Sequence, residues 1–245
     1  MSSRKTVLVT GAAARIGACI AETLHERDCD VVLHCNSSLD RAETLAEKLN
    51  GLRPGSAAVA QADLSSPKGI EDLASSVRAA FGRLDILVNN ASRFYATRVG
   101  DTQAWQWEDL VDSNLRGPYF LVQELLPELK TAGGSVVNIV DIHSERPMPD
   151  HGVYCISKAG LAMMTKAMAA ELGPAVRVNG VSPGAILWPE HETTDQEKQS
   201  ILDRTVMGRS GEAPDIATAV AYLALDAPYV TGQILAVDGG RSLNM

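Results

Sequence analysis

Residues 141–158 read DIHSERPMPDHGVYCISK, and three of their side chains could do proton chemistry. Tyr154 and Lys158 stand four positions apart, so on a helix they share a face. A free phenol titrates near about 10 and is a poor acid–base group at neutral pH. A neighbouring ammonium favours the phenolate and is expected to lower that value. Tyr154 and Lys158 are therefore a candidate catalytic couple that protonates a substrate atom. Asp141 lies thirteen positions before Tyr154, at the end of an apolar run. Its carboxylate accepts hydrogen bonds and donates none. It is either part of the same chemistry or a cap on the following loop.

A scaffold must bring these groups together. The runs TVLVT (6–10), VVLH (31–34), AAVAQAD (57–63), LDILVN (84–89), SVVNIV (135–140), VRVNGVS (176–182) and ILAVD (234–238) read as strands. Most are near-continuous apolar runs, as in parallel strands buried on both faces. Helical patterns fill about 15–28, 39–50, 67–81, 103–131, 152–172 and 213–225. This alternation predicts an α/β fold: a doubly wound parallel sheet with helices on both faces and right-handed crossovers. No linker, composition shift or internal repeat divides the 245 residues, so a single domain over 1–245 is expected. The mixed segment 183–209, which contains Trp188, is expected to cover the site.

Bulk properties exclude other classes. The chain has 22 Lys+Arg against 30 Asp+Glu, a net charge of -8. A nucleic-acid or membrane-surface protein needs a basic face, so neither partner is expected. Cys19, Cys29, Cys35 and Cys155 form no C-x-x-C pair and no His cluster has metal spacing, so no metal is expected. Three of the cysteines fall in apolar or element-forming runs and are expected as buried thiols. MSSRKTVLVT runs straight into a predicted strand, leaving no room for a signal peptide, and no apolar run approaches bilayer-spanning length. A cytoplasmic location is expected.

TGAAARIG (10–17) follows the first predicted strand and opens the first helix. Ligands of such sheets bind at the carboxyl ends of strands, and phosphate favours a helix N-terminus. Gly11 lets the chain turn and Gly17 lets the helix pack closely. The residues T-G-x-x-x-R-I-G, with N-N-A at 89–91, Y-x-x-x-K at 154–158, P-G at 183–184 and VDGG at 237–240, resemble the short-chain dehydrogenase/reductase family across the whole chain. That resemblance implies a single Rossmann-type domain, a nicotinamide cofactor and hydride transfer. It implies cofactor contacts from Gly11, Arg15, Ile16, Gly17, Asn90, Ala91, Pro183 and Gly184, and from Asp63 and Leu64 beside the adenine. It also implies that Lys158 and Tyr154 meet the cofactor, and that Asn114, in DSN, supports the site. NAD-type recognition uses an acid after the second strand. Here the chain reads LHCNSS, with the first acid at Asp40. His34, Asn36, Ser37 and Ser38 are instead candidate donors to a 2′-phosphate, which favours NADPH.

Most members of that family carry a serine where this chain has Asp141; its hydroxyl steadies a substrate carbonyl. A carboxylate would repel a developing oxyanion, so Asp141 argues against simple ketone reduction and suits a C=N bond. Ser144 is an alternative position for the family serine. Asp141, Tyr154 and Lys158, with T-G-A-A-x-R-I-G and N-N-A-S-x-F-Y, are similar to the pteridine reductase subgroup. The resemblance implies that Arg15, Ser92 and Phe94 bind a flat pterin or folate, with Phe94 opposing the nicotinamide across it. Bottom-up, a planar heterocycle rich in N–H and C=O groups wants an aromatic face, a hydroxyl and a carboxylate. The alternatives are a carbonyl reductase of the same fold and a catalytically silent cofactor-binding regulator. Family members pair their long helices across two-fold axes. The apolar and small residues of KAGLAMMTKAMAAEL (158–172) therefore point to a homotetramer.

Overall fold

Seven short apolar runs become the seven strands of one sheet in the computed structural model, which describes residues 4–186 and 194–244. The strands are β1 (Thr6–Val9), β2 (Asp30–Cys35), β3 (Ala57–Gln61), β4 (Ile86–Asn89), β5 (Ser135–Ile139), β6 (Arg177–Pro183) and β7 (Ile234–Val237). They lie in the order β3-β2-β1-β4-β5-β6-β7, every neighbouring pair parallel. The chain reverses direction across the sheet between β1 and β4, the switch point where such sheets bind ligands.

Period two decides which face each strand residue serves. Val7, Val9, Val31, Leu33, Ile86, Val88 and Val137 join one core with α1 (Arg15–Glu26), α2 (Leu39–Leu52) and α9 (Ala213–Ala221). Leu8, Val32, Leu87 and Val136 join the other with α3 (Pro67–Phe81), α5 (Gly117–Glu124) and α7 (Gly152–Leu172). Each fully buried Leu or Ile contributes about 1.5–3 kcal/mol. The fold class read from the sequence holds.

The stretch expected as one helix over 103–131 is three: α4 (Ala104–Val111), α5 and α6 (Leu126–Ala132). A π-helical turn, Asp112–Arg116, joins the first two, and Pro118 and Pro127 sit in the first turns of the next two. Proline suits a first turn and disrupts an interior. The segment 183–209 holds a further helix, α8 (Asp195–Asp203), whereas Trp188 lies outside the described residues. All four cysteines are free thiols, and Cys29, Cys35 and Cys155 are buried. Among the described residues, no helix is long and apolar enough to cross a membrane.

Candidate active site

Two groups of residues meet at the carboxyl edge of the sheet. The first is the loop from β1 to α1. Gly11 has φ 64, the left-handed region that favours glycine. A Cβ on Gly17 would come 2.1 Å from Gly11 O, so no side chain fits there. The loop therefore folds tightly onto the N-terminus of α1, whose first turn holds no acidic residue. Arg15 opens that helix at φ 53, where a non-glycine residue costs roughly 1–2 kcal/mol.

Thr10 ties this loop to the next. Its hydroxyl oxygen accepts from Asn90 N at 2.9 Å and Ala91 N at 3.0 Å. Asn90 Nδ2 returns bonds to Thr10 O (2.8 Å) and Gly11 O (3.1 Å). The result is a cleft of about 370 Å³ lined by the loop from Gly11 through Arg15 and Ile16 to Gly17, by His34, Asn36, Ser37 and Ser38, by Asp63 and Leu64, and by Asn90, Ala91 and Ser92. Asp63 is held in place by Ser65, whose N and Oγ donate to its Oδ1 at 3.0 and 2.7 Å; these bonds hold its carboxyl below the usual range.

One expected donor takes a different role. His34 is buried, its Nδ1 accepts from Gly11 N (3.2 Å), and its Nε2 donates to Ala62 O (3.1 Å). Burial lowers its pKa to about 4. A neutral ring with both nitrogens engaged has no free donor for a phosphate. His34 is a brace between the glycine loop and the residue that follows β3, and the donors left nearby are Asn36, Ser37 and Ser38.

The second group stands beside this cleft. Tyr154 and Lys158 lie on α7, both buried. Asp141 follows β5 in an extended conformation, φ -175, and splits its two oxygens. Oδ1 accepts from His143 N at 2.8 Å, capping a 3₁₀ turn over Ile142–Ser144. Oδ2 accepts from Tyr154 Oη at 2.7 Å. The cap and the chemical partner are one residue, and Ser144 is not the phenol's partner. Lys158 Nζ donates to Ile139 O at 2.9 Å, with Nζ 5.8 Å from the Tyr154 ring centroid.

This geometry reverses the expected direction for the phenol. Burial first, then the Asp141 charge and hydrogen bond, push Tyr154 well above its ordinary value. Burial also pulls the Lys158 ammonium down to about 8, against a smaller opposing effect of Asp141. Tyr154 is therefore held as a neutral phenol whose hydrogen is directed at Asp141.

Asn114 sits in the π turn and is almost fully buried. Its Oδ1 accepts from Arg93 N (2.8 Å) and Ser92 Oγ (3.1 Å), and its Nδ2 donates to Arg93 O (3.0 Å) and Ser157 Oγ (3.1 Å). Ser157 Oγ donates in turn to Tyr154 O at 2.7 Å. The widened turn thus fastens the Ser92 loop to α7, and Ser157, unflagged by any motif, is the joint. Phe94 is half-exposed, stacked on His151 (4.7 Å between centroids, 13° between planes) and edge-on to Tyr154 (4.8 Å).

Pro183 ends β6 and Gly184 follows it, both outside the cleft lining. A Cβ on Gly184 would approach Asp238 Cα to 2.7 Å, so this glycine lets the chain pass the C-terminal turn. Ile186 and Met207, near the two ends of the 183–209 segment, line a second cavity of about 460 Å³ with Asp238, Gly239 and Gly240.

A family model described as enoyl-(acyl carrier protein) reductase matches residues 11–242. The chain is 35% identical to an uncharacterized oxidoreductase, YmfI, of Bacillus subtilis, over 96% of this chain and 98% of that one. The chain belongs to the short-chain dehydrogenase/reductase family. Within that family it is also 34% identical to the 3-oxoacyl-[acyl-carrier-protein] reductase FabG of Staphylococcus epidermidis, over 96% of this chain and 98% of that one. It is 34% identical to pteridine reductase 1 of Leishmania tarentolae, over 96% of each chain. The protein is thus a short-chain dehydrogenase/reductase oxidoreductase, a family that uses NAD(P)H. The cleft fits such a cofactor: a glycine cradle that a Cβ would fill and an acid-free helix N-terminus stand at the switch point of the sheet.

Proposed function

We propose that the protein is an NADPH-dependent pteridine reductase that takes a dihydropterin or dihydrofolate to the tetrahydro form at a C=N bond. The observation that carries this reading is the 2.7 Å hydrogen bond from Tyr154 Oη to Asp141 Oδ2. Bound NADPH supplies the hydride. The chain's residues supply the proton and the fit. Tyr154 Oη releases its proton to the substrate nitrogen, and Asp141 Oδ2 hands on a replacement drawn from water. A carboxylate beside Oη would repel an oxyanion but accepts readily from the N–H groups of a heterocycle. Phe94 offers its exposed face to the flat ring, with Ser92 and Arg15 as the polar flank. Lys158 meets the cofactor beside Tyr154, and Asn114 holds α7 against the Ser92 loop.

Relatives named 3-oxoacyl-[acyl-carrier-protein] reductase favour a second reading, carbonyl reduction. Parallel assays of NADPH oxidation with dihydrobiopterin, dihydrofolate and a panel of small ketones and acyl-thioester ketones separate the two. Turnover of ketones alone overturns the pteridine reading. A silent regulatory role is disfavoured by the intact set Asn114, Tyr154, Asp141 and Lys158.

The cofactor choice follows from the end of β2. Asn36, Ser37 and Ser38 offer donors, and no carboxylate lies between the end of β2 at Cys35 and Asp40. The kcat/KM ratio is expected to favour NADPH over NADH by about tenfold or more, roughly 1.4 kcal/mol. An NADH preference rejects this assignment.

A cytoplasmic homotetramer is expected. Trp105, Trp107, Tyr119 and Phe120 on α4 and α5, and Ile156 and Met163 on α7, are large apolar side chains left exposed. Such clustering favours burial against further copies under closed symmetry. Light scattering at micromolar concentration checks this; a monomer overturns it.

A further inference from the structure

Two arginines at the C-terminal end are not used by the reading above. Residues 238–240 form a tight turn: Asp238 Oδ1 accepts from Gly240 N (2.9 Å) and Oδ2 from Ser242 N (2.8 Å). The turn is pinned to residues 204–207. Met207 N donates to Gly239 O (3.0 Å) and Asn244 Nδ2 to Arg204 O (3.4 Å). Strand register brings this turn to the edge where Asp141 stands, since Val237 pairs with Pro183 and Ile139 with Val181. Arg241 follows the turn, partly buried, and Arg204 lies exposed nearby.

Arg241 Nε is sealed from solvent with no hydrogen-bond partner. Neither guanidinium has an ion pair among the described residues. The field at Arg241 is mixed. Burial opposes its charge most, Asp141 and Asp238 favour it, and Arg204 opposes it. The two favourable carboxylates are committed elsewhere, Asp141 to His143 N and Tyr154 Oη, Asp238 to backbone N–H groups. A chain of net charge -8 has no shortage of acids with which to pair these arginines. An unpaired, partly buried guanidinium beside an active site is costly unless a ligand completes it.

We propose that Arg241, with Arg204 beside it, is a subsite for an anionic group on the substrate's tail, next to Asp141 and Tyr154. A planar guanidinium matches a carboxylate or a phosphate with parallel N–H donors. The subsite rests on the pteridine reading and narrows it: substrates whose reduced ring carries a charged tail are preferred over neutral-tailed ones. Carboxylate and phosphate share this chemistry, and the test separates them.

The experiment measures kcat/KM with dihydrofolate (carboxylates), dihydroneopterin phosphate and dihydrobiopterin (neutral tail). It compares the parent, Arg241→Gln, Arg241→Lys and Arg204→Gln. Arg241→Gln is expected to lower the ratio of an anionic substrate to dihydrobiopterin by about tenfold or more, through KM. Arg241→Lys should recover part of that ratio, and added salt should erode it in the parent more than in the Gln variant. The arm with the larger loss identifies carboxylate or phosphate. Equal loss on all three substrates, or no loss, overturns the subsite. Should the parent reduce none of them, the pteridine reading falls first. Calorimetric titration of the NADPH-loaded parent and Arg241→Gln with p-aminobenzoylglutamate and with inorganic phosphate then decides the subsite. Equal binding by both proteins, or none by the parent, overturns it; weaker binding by the variant supports it.

Discussion

Replacing Tyr154 by phenylalanine is expected to cut turnover by about 10²–10⁴-fold while NADPH affinity stays within about tenfold of the parent. In the proposed mechanism the phenol supplies the proton, and it donates to Asp141 Oδ2 at 2.7 Å. Removing only the oxygen keeps the ring in its buried slot, edge-on to Phe94. The packing cost is small; the lost hydrogen bond costs about 1 kcal/mol. The variant should therefore fold, bind cofactor and stall at protonation. Cofactor fluorescence reports the binding and single-turnover rates report the chemistry. Turnover equal to the parent would remove Tyr154 from the mechanism.

The scaffold was legible because its signals are local. Each strand is a short apolar run between turn residues, and all seven lie within about two residues of their expected bounds. The helix α8 was hidden because TTDQEKQSILD offers too few apolar residues for a helical period. The break in the 103–131 helix had its signals in Pro118 and Pro127. The π turn ahead of Pro118, between α4 and α5, turns Asn114 onto two distant segments, which no spacing reveals.

The same limit explains the site. Gly11, Gly17 and the loop 89–91 carried their roles in residue type. His34 did not, because its partners, Gly11 N and Ala62 O, lie on elements far apart in sequence. Lys158 is four residues from Tyr154, yet its ammonium bonds a backbone carbonyl. The phenol's electrostatics are set by burial and by a carboxylate thirteen residues away. Arg241 gave no sequence signal beyond following a Gly-Gly turn.

Asp141→Asn is the substitution on which the pteridine reading turns. The wild-type carboxylate accepts twice, from His143 N through Oδ1 and from Tyr154 Oη through Oδ2. An asparagine has one carbonyl oxygen for two donors. If that oxygen keeps the cap, the amide N–H₂ faces Tyr154 and the phenol must turn its proton elsewhere. If it serves the phenol, the cap is lost at about 0.5–2 kcal/mol. In both arrangements the charge and the exchangeable proton are gone. Turnover of dihydropterin is expected to fall by about 10²–10⁴-fold. Tyr154 should also titrate lower than in the parent, since the Asp141 charge is one cause of its upward shift. Asp141→Ser should lose dihydropterin turnover likewise. Its hydroxyl donates instead of accepting only, so the repulsion of an oxyanion disappears and activity on an activated ketone should rise. Steady-state rates on both substrate classes, with thermal melts to track the cap, check each point. If Asp141→Asn reduces dihydropterin as fast as the parent, the carboxylate serves only the 3₁₀ turn. The case for a pteridine would then rest on Arg15, Ser92 and Phe94.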